Sequence, residues 1–507
     1  MTYLVSRTCS LFLTSLLRLA CARPVVWQLL AGSYWSGLDR VARWQAAATC
    51  RIAAVEVPAY QDFLGGNRAR RLAEFPETAK STYAGCYTEE SRCRGGRVDP
   101  AGTVVDESSG SSGKPYNWLR GREELSGICR NVAGYTRLMF PGGSQYGPLF
   151  VINAYSMGAW ATGTTTGAAM ARIAIVKNTG PDPGKIADTL RHFGPGYRYL
   201  ITAYPPFLKH LRDDLDADGF DWRGYRIDAM VGGEGITEAL RDYLQERFGM
   251  VRSGYGASDL TIGIGAESAF TVWLRRRLRT DRELRAELLG THEQRLPMIF
   301  HYNPLETYLE VNDRSELLCT VSGTSCLQPK LRYNVGDEAT LSTLPKVMEL
   351  IARDPRRKAQ GQQVARGERI TLPLLFLYGR KDSTVSYMGA NLYPQDVEYG
   401  LYQGNPYAAR IAAFCLSLEE QPGLEYRPTV SIELRAALGE AERADLALAC
   451  QRGVLGHLAH VSRDFAEALR EDPTAADVRI RVFGPGEGPF RRPAGSTLKN
   501  KYLVSQA

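Results

Sequence analysis

Hydrophobic positions change period several times along the chain, and the changes outline an alternating α/β architecture. Met1 to Gly32 surrounds the run Leu11-Phe12-Leu13 with Arg7, Arg18 and Arg23 and no acidic residue, which predicts an amphipathic helix able to touch a membrane surface. Arg18 interrupts the apolar run well before the ~20 residues a span requires, and no small-residue cleavage site follows. From Trp35 to Phe63 apolar residues recur three and four apart, as at Leu38, Val41, Ala42 and Trp44, and predict helical scaffold. Strand patterning then dominates. Residues 146–155 read as a buried strand, 171–176 as a second and 199–204 as a third ending at Pro205-Pro206, with a helix from Pro183 to Phe193 between the last two. Ile227 to Val231 reads as a strand ending in Gly232-Gly233-Glu234, Thr237 to Phe248 as a helix, and 250–253 as a strand running into Gly254-Tyr255-Gly256-Ala257-Ser258-Asp259. This βαβ order predicts mainly parallel sheets flanked by helices, with a ligand site at the carboxyl ends of the strands. Beyond position 382 a smaller α+β unit is expected, with strands at 411–418, 429–434 and 478–482 and a helix from Glu440 to Glu471 broken near Gly453. The expected division is therefore a core over 1–381, helical over about 1–80, and a small mobile domain over 382–507.

Composition narrows the function classes. At 507 residues, 44% hydrophobic and 23% charged, the chain can bury a large core, and its net charge of +7 forms no concentrated patch of the kind nucleic acid requires. The ten cysteines form no CxxC pair, which predicts reduced thiols in a cytoplasmic protein. Of the six histidines, the close pair His457 and His460 lies in an apolar helical stretch and reads as packing.

One stretch stands out chemically. Asp106-Glu107-Ser108-Ser109-Gly110-Ser111-Ser112-Gly113-Lys114-Pro115 exposes backbone N–H groups and hydroxyls with little side-chain bulk, which suits a triphosphate. It lacks the spacing of a Walker loop, and composition alone favours a flexible linker. The glycines after two strand ends, at 232–233 and 254–256, let a flat ring approach the backbone, with Tyr255 placed to stack and Asp259 offering a carboxylate to a hydrated Mg²⁺. Two basic stretches, 351–360 and 274–279, read as a solvated insertion loop and a solvated helix face.

These motifs occur in one order with Arg332-Tyr333-Asn334-Val335-Gly336-Asp337, Gly379-Arg380-Lys381-Asp382 and a lysine near the C-terminus. In that order, over roughly residues 80 to 504, the chain resembles the phenylacetate–CoA ligase branch of the acyl-CoA synthetase, adenylation-domain and luciferase superfamily. The resemblance implies ATP, Mg²⁺ and CoA as reactants and cofactors. It implies that Ser108, Ser109, Gly110, Ser111, Ser112, Gly113 and Lys114 hold the β- and γ-phosphates. Gly232, Gly233, Glu234, Tyr255, Gly256, Ala257 and Ser258 would border the nucleotide, and Asp259 would stand where the family has a metal-binding Glu. Asp337 would accept the ribose hydroxyls, Arg380 would lie near ribose and phosphate, and Asp382 would be the hinge. Lys499 aligns with the catalytic lysine although Leu498 replaces the family's preceding Gly, and Lys501 is the other candidate. After rotation of the small domain, Ser386-Tyr387-Met388-Gly389 would face the thiol tunnel.

The implied reaction joins a carboxylate to the α-phosphate of ATP, releases pyrophosphate and passes the acyl group to CoA; an amine or a carrier-protein thiol is the alternative acceptor, and a member that binds without turnover a further one. The acid would be aromatic or apolar, held by Asn153, Tyr155, Met157, Gly158, Trp160, Tyr204 and Phe207. No general base is required, since the acid is ionised near neutrality. Small-molecule partners are expected, without nucleic acid or a transmembrane segment, and homodimerisation is compatible with the sequence.

Overall fold

The computed structural model describes residues 2–21, 25–26, 37–107, 116–142, 147–158, 161–291, 293, 295–322, 326–368, 371–380, 385–387, 390–421, 425–462, 465–466, 469 and 477–491. The helix Thr2–Cys21 packs on the helix Leu38–Glu56, tied by Tyr3 Oη and Arg7 Nε, both donating to Glu56 Oε1 at 2.8 and 3.0 Å. The rest of the stretch predicted as helix up to Gly32 lies outside the described residues, apart from 25–26. A short strand β1 (Thr78–Ala79) follows, then a hairpin of β2 (Val104–Glu107) and β3 (Asn117–Arg120).

The fold class is the mixed α/β arrangement expected, built on one twelve-stranded sheet. Strands β4 (Leu149–Asn153), β5 (Ile175–Asn178), β6 (Arg198–Ala203), β7 (Arg226–Gly232) and β8 (Val251–Ala257) form its parallel half in the order β5-β4-β6-β7-β8. The strand expected at 171–176 thus lies a few residues later. From β8 onward every neighbour on the main path pairs antiparallel: β9 (Thr261–Ala266), β10 (Met298–Tyr302), β11 (Thr307–Val311), β12 (Glu316–Val321), β13 (Tyr333–Ser342) and β14 (Leu374–Arg380), in the order β8-β9-β10-β14-β13-β12-β11. The parallel half alternates its faces as a doubly covered sheet must. Val151 and Leu200 pack with Val132, Met139 and Met170 on one side, while Ile152 and Ile201 pack with Leu190, Leu208 and Leu240 on the other.

Past the small hairpin of β15 (Val385–Tyr387) and β16 (Ala390–Leu392), a three-stranded sheet of β17 (Ile411–Gln421), β18 (Glu425–Leu434) and β19 (Arg479–Phe483) packs with the helices Pro394–Tyr402 and Glu440–Val461. Three sequence readings are corrected here. Gly453 does not break its helix: a Cβ there would meet Gly400 O at 2.2 Å, so both glycines exist to let two helix backbones touch. The segment 351–360 is no loop, since residues 344–351 and 355–368 form two helices linking β13 to β14. The arginines at 274–279 are not simply solvated: Arg275, 2% exposed, reaches Glu238 at 2.9 Å and Ile236 O at 2.6 Å.

Candidate active site

A cleft of about 250 Å³ opens at the carboxyl ends of β7 and β8, against the helix Arg122–Met139. It gathers Gly232, Gly233, Tyr255, Gly256, Ala257, Ser258, Asp259, Asp337 and Arg380 from four strands and their loops. The antiparallel register makes Asp337 and Arg380 direct partners across β13 and β14, so their Cβ atoms leave the ladder side by side and on one face. The glycines are steric requirements. A Cβ on Gly232 would meet Tyr155 Oη at 2.9 Å, and one on Gly256 would meet the Ile262 Cα at 2.8 Å.

Two aspartates face the cleft, each accepting a tyrosine hydroxyl. Tyr255 Oη donates to Asp337 Oδ2 at 2.8 Å, while one side of its ring stacks on Phe300 with centroids 5.7 Å apart. Burial first, and then the Asp337 charge, push the Tyr255 hydroxyl far above its ordinary pKa, so it remains a donor. Tyr333 Oη donates to Asp259 Oδ2 at 3.2 Å, and Lys80 Nζ lies 3.2 Å from Asp259 Oδ1. Lys80 also sits over the ring of Tyr116, the first described residue after the Ser/Gly run, 5.2 Å from its centroid. Among the described residues no three metal-ligating side chains cluster. One carboxylate already paired with a cation does not suit a metal held by protein ligands alone.

The Ser/Gly run is reached through its flanks. Asp106 and Glu107 belong to β2, so the loop itself spans less than the sequence suggested, and Ser108, Ser109, Gly110, Ser111, Ser112, Gly113 and Lys114 lie outside the described residues, as do Trp160, Asp382, Lys499 and Lys501. Arg120, 1% exposed, anchors the hairpin. Its guanidinium contacts Asp106 at 3.2 Å and Glu124 at 2.9 Å, and donates to the carbonyls of Ser258 at 2.9 Å and of Leu260. One buried arginine therefore joins the loop base, the cleft helix and the β8–β9 turn that carries Asp259. Burial raises the Asp106 carboxyl while Arg120 restrains it.

The inner end of the cleft is apolar. Val132, Tyr135, Thr136 and Met139 present one face of their helix, opposite Met230, Ile262 and Ala266. Of the residues expected to hold an acid, Tyr155 lines this end, and Tyr204 meets it edge-on with ring centroids 5.1 Å apart. Asn153 is fully buried, donating to Gly163 O and Asn178 Oδ1 at 2.8 Å, and Phe207 lies in the core on the other side of the sheet. Gly158 takes φ +100° in the turn after β4, and Glu234 is half-buried beyond Gly233, outside the lining. Lys80 and the four residues on the cleft helix escaped sequence reading; the helical spacing of Val132, Tyr135, Thr136 and Met139 was the available signal.

No family model matches the sequence, and no curated protein does. Solved structures do match. A 2-hydroxyisobutyryl-CoA ligase in the postadenylation state, in complex with R3-HIB-AMP, superposes with TM-score 0.62 and 15% identity over 92% of this chain and 89% of that one. The same ligase with 2-HIB-AMP and CoA in the thioesterification state gives TM-score 0.52 and 14% identity over the same shares. At such identities the likeness speaks for architecture: the chain has the fold of an adenylate-forming acyl-CoA ligase.

Proposed function

We propose that the protein activates an apolar carboxylic acid as its adenylate, releasing pyrophosphate from ATP, and hands the acyl group to CoA. The observation that carries this reading is the Asp337–Arg380 register pair, facing Gly232, Gly233 and Tyr255 across a single cleft. A carboxylate is the natural double acceptor for a vicinal diol, so Asp337 would hold the ribose, its orientation set by Tyr255. Arg380, charged at any working pH, would steady phosphate oxygens as charge builds on them, with Lys80 adding a second cation beside Asp259. Mg²⁺ bound to ATP would neutralise phosphate charge next to Asp259. The acid would lie between Met139, Tyr135 and Tyr155, whose side chains suit a flat or branched apolar group. Lys499 would bridge the acid and the α-phosphate, the Ser/Gly loop would cradle the departing pyrophosphate, and rotation at Asp382 would then admit the thiol.

Pyrophosphate release measured over a panel of aromatic and branched acids tests the first half-reaction. Acid-dependent release that disappears in Asp337→Asn and Lys499→Ala supports it, whereas no release with any acid sinks it. Running the productive acid with CoA alone, and then with hydroxylamine in place of CoA, separates thioester formation from transfer to an amine.

A further inference from the structure

We propose that the helix Thr2–Cys21 is a docking element that lays its outer face on an anionic membrane surface. A helix resting on a folded protein normally turns its apolar stripe inward. This one is reversed. Ser6 and Ser10, 3% and 0% exposed, face the helix Leu38–Glu56, and Arg51 Nε donates to Ser6 Oγ at 3.0 Å. Small hydroxyl residues at the contact let the two helix backbones approach closely, and leave the apolar side chains of the first helix on its outer face. On that far side Leu4, Val5, Leu11, Phe12 and Leu16 are 65, 53, 40, 70 and 52% exposed. At 100° per residue they share an arc of roughly 140°, interrupted only by Thr8 and Ser15. No charge lies in the arc.

Its surroundings select the kind of membrane. Residues 2–21 carry Arg7 and Arg18 without an acid, and the adjoining segment 66–73 carries Arg68, Arg70 and Arg71 without an acid. Arg51 binds the two together, reaching Ser6 and, through Nη1, Arg70 O at 2.7 Å. Glu56 pairs with Arg7 and Arg94 and Glu74 with Arg71, so the arginines of these two segments outnumber the carboxylates they meet. Such a rim repels a second copy of itself and attracts phosphatidylserine-type headgroups, while the apolar arc enters the acyl boundary. Among the described residues no helix is long and apolar enough to cross a membrane, so the contact is interfacial.

Co-sedimentation of the full-length protein with phosphatidylcholine vesicles, with and without phosphatidylserine, tests the assignment. Binding should require phosphatidylserine, weaken at high salt and fall roughly tenfold in Leu4→Glu/Phe12→Glu, whose exposed positions leave folding by circular dichroism and pyrophosphate release unchanged. Arg68→Ala/Arg70→Ala should weaken binding while keeping the apolar arc. Equal binding to both vesicle types, or no effect of Leu4→Glu/Phe12→Glu, overturns the proposal. So does a concentration-dependent dimer in analytical ultracentrifugation that Leu4→Glu/Phe12→Glu abolishes while vesicles bind nothing, since the face would then belong to a second copy.

Discussion

Asp259 and Asp337 look into the cleft, each with a tyrosine hydroxyl on one carboxylate oxygen, while Glu238 and Glu267, about 1% exposed, are enclosed behind the same strands. Arg241 joins the two glutamates, at 3.1 Å to Glu238 and 2.7 Å to Glu267; Arg275 and Arg276 add contacts of 2.9 and 2.8 Å to Glu238. Burial alone would raise the Glu238 carboxyl, yet Arg241 and Arg275 outweigh it and hold it at about 2. Glu267 also accepts from Ser253 N at 2.7 Å, two residues before Tyr255. The enclosed set thus fixes strand β8, and the open pair uses the place that β8 defines. A carboxylate serves as structure when buried arginines enclose it, and as a potential ligand site where it opens on the cleft beside a tyrosine hydroxyl, as at Asp337, or a hydroxyl and one lysine, as at Asp259.

The largest effect that would break this contrast belongs to the enclosed set. Arg241→Met leaves buried Glu267 without its arginine and Glu238 with two of its three, and should lower stability by about 3–5 kcal/mol in urea unfolding. A loss below about 1 kcal/mol would mean that water reaches the cluster. Asp337→Asn should leave the melting temperature in place and cut acid-dependent pyrophosphate release by roughly 100-fold, the worth of two hydrogen bonds to a charged acceptor. A parallel fall in melting temperature would move Asp337 into the structural class.

A third prediction concerns the enclosed Glu398, which packs near Thr237, Arg275 and Lys209 and which burial raises from 4.5 to about 7. An acid raised by folding binds more protons in the native than in the unfolded state, so its contribution is full below pH 4.5 and lost as pH climbs through about 7. Glu398→Gln removes that titration. The stability of wild type relative to Glu398→Gln should therefore fall, by on the order of 2–3 kcal/mol, between pH 5 and 8; a flat difference would show the carboxyl to be ionised throughout. Smaller effects return to the cleft. Lys80→Met should weaken ATP use about tenfold, read as a rise in KM for ATP with the acid's KM unchanged. Tyr255→Phe should cost only about 1 kcal/mol, since the Asp337 carboxylate still faces the cleft, and a loss as large as that of Asp337→Asn would make the hydroxyl itself a ligand contact.

Much of the cleft was legible because its parts are local. Gly232-Gly233 and the run 254–259 sit where a strand ends, and strand ends announce themselves through period and glycine. Arginines 274–279 misled because charge in a helix normally marks a wet face, and nothing near 275 in sequence discloses the Glu238 carboxylate that Arg275 meets. Gly453 misled for a related reason: a helical glycine reads as a weak point until the facing Gly400 is known.

By itself, the sequence determined the βαβ half of the sheet and the glycine-bearing strand ends, which follow from backbone geometry and side-chain period over a few residues, while Asp337 and Arg380 became candidates only through the order of motifs shared with a known family. Only the tertiary structure decided that Asp337 and Arg380 are cross-strand partners although 43 positions apart, that Lys80 stands beside Asp259, and that the first helix shows its apolar side outward. Those are facts of register and packing, set by which faces meet after the chain has closed long loops, and the apolar-polar pattern of one segment carries no record of the face it will be set against.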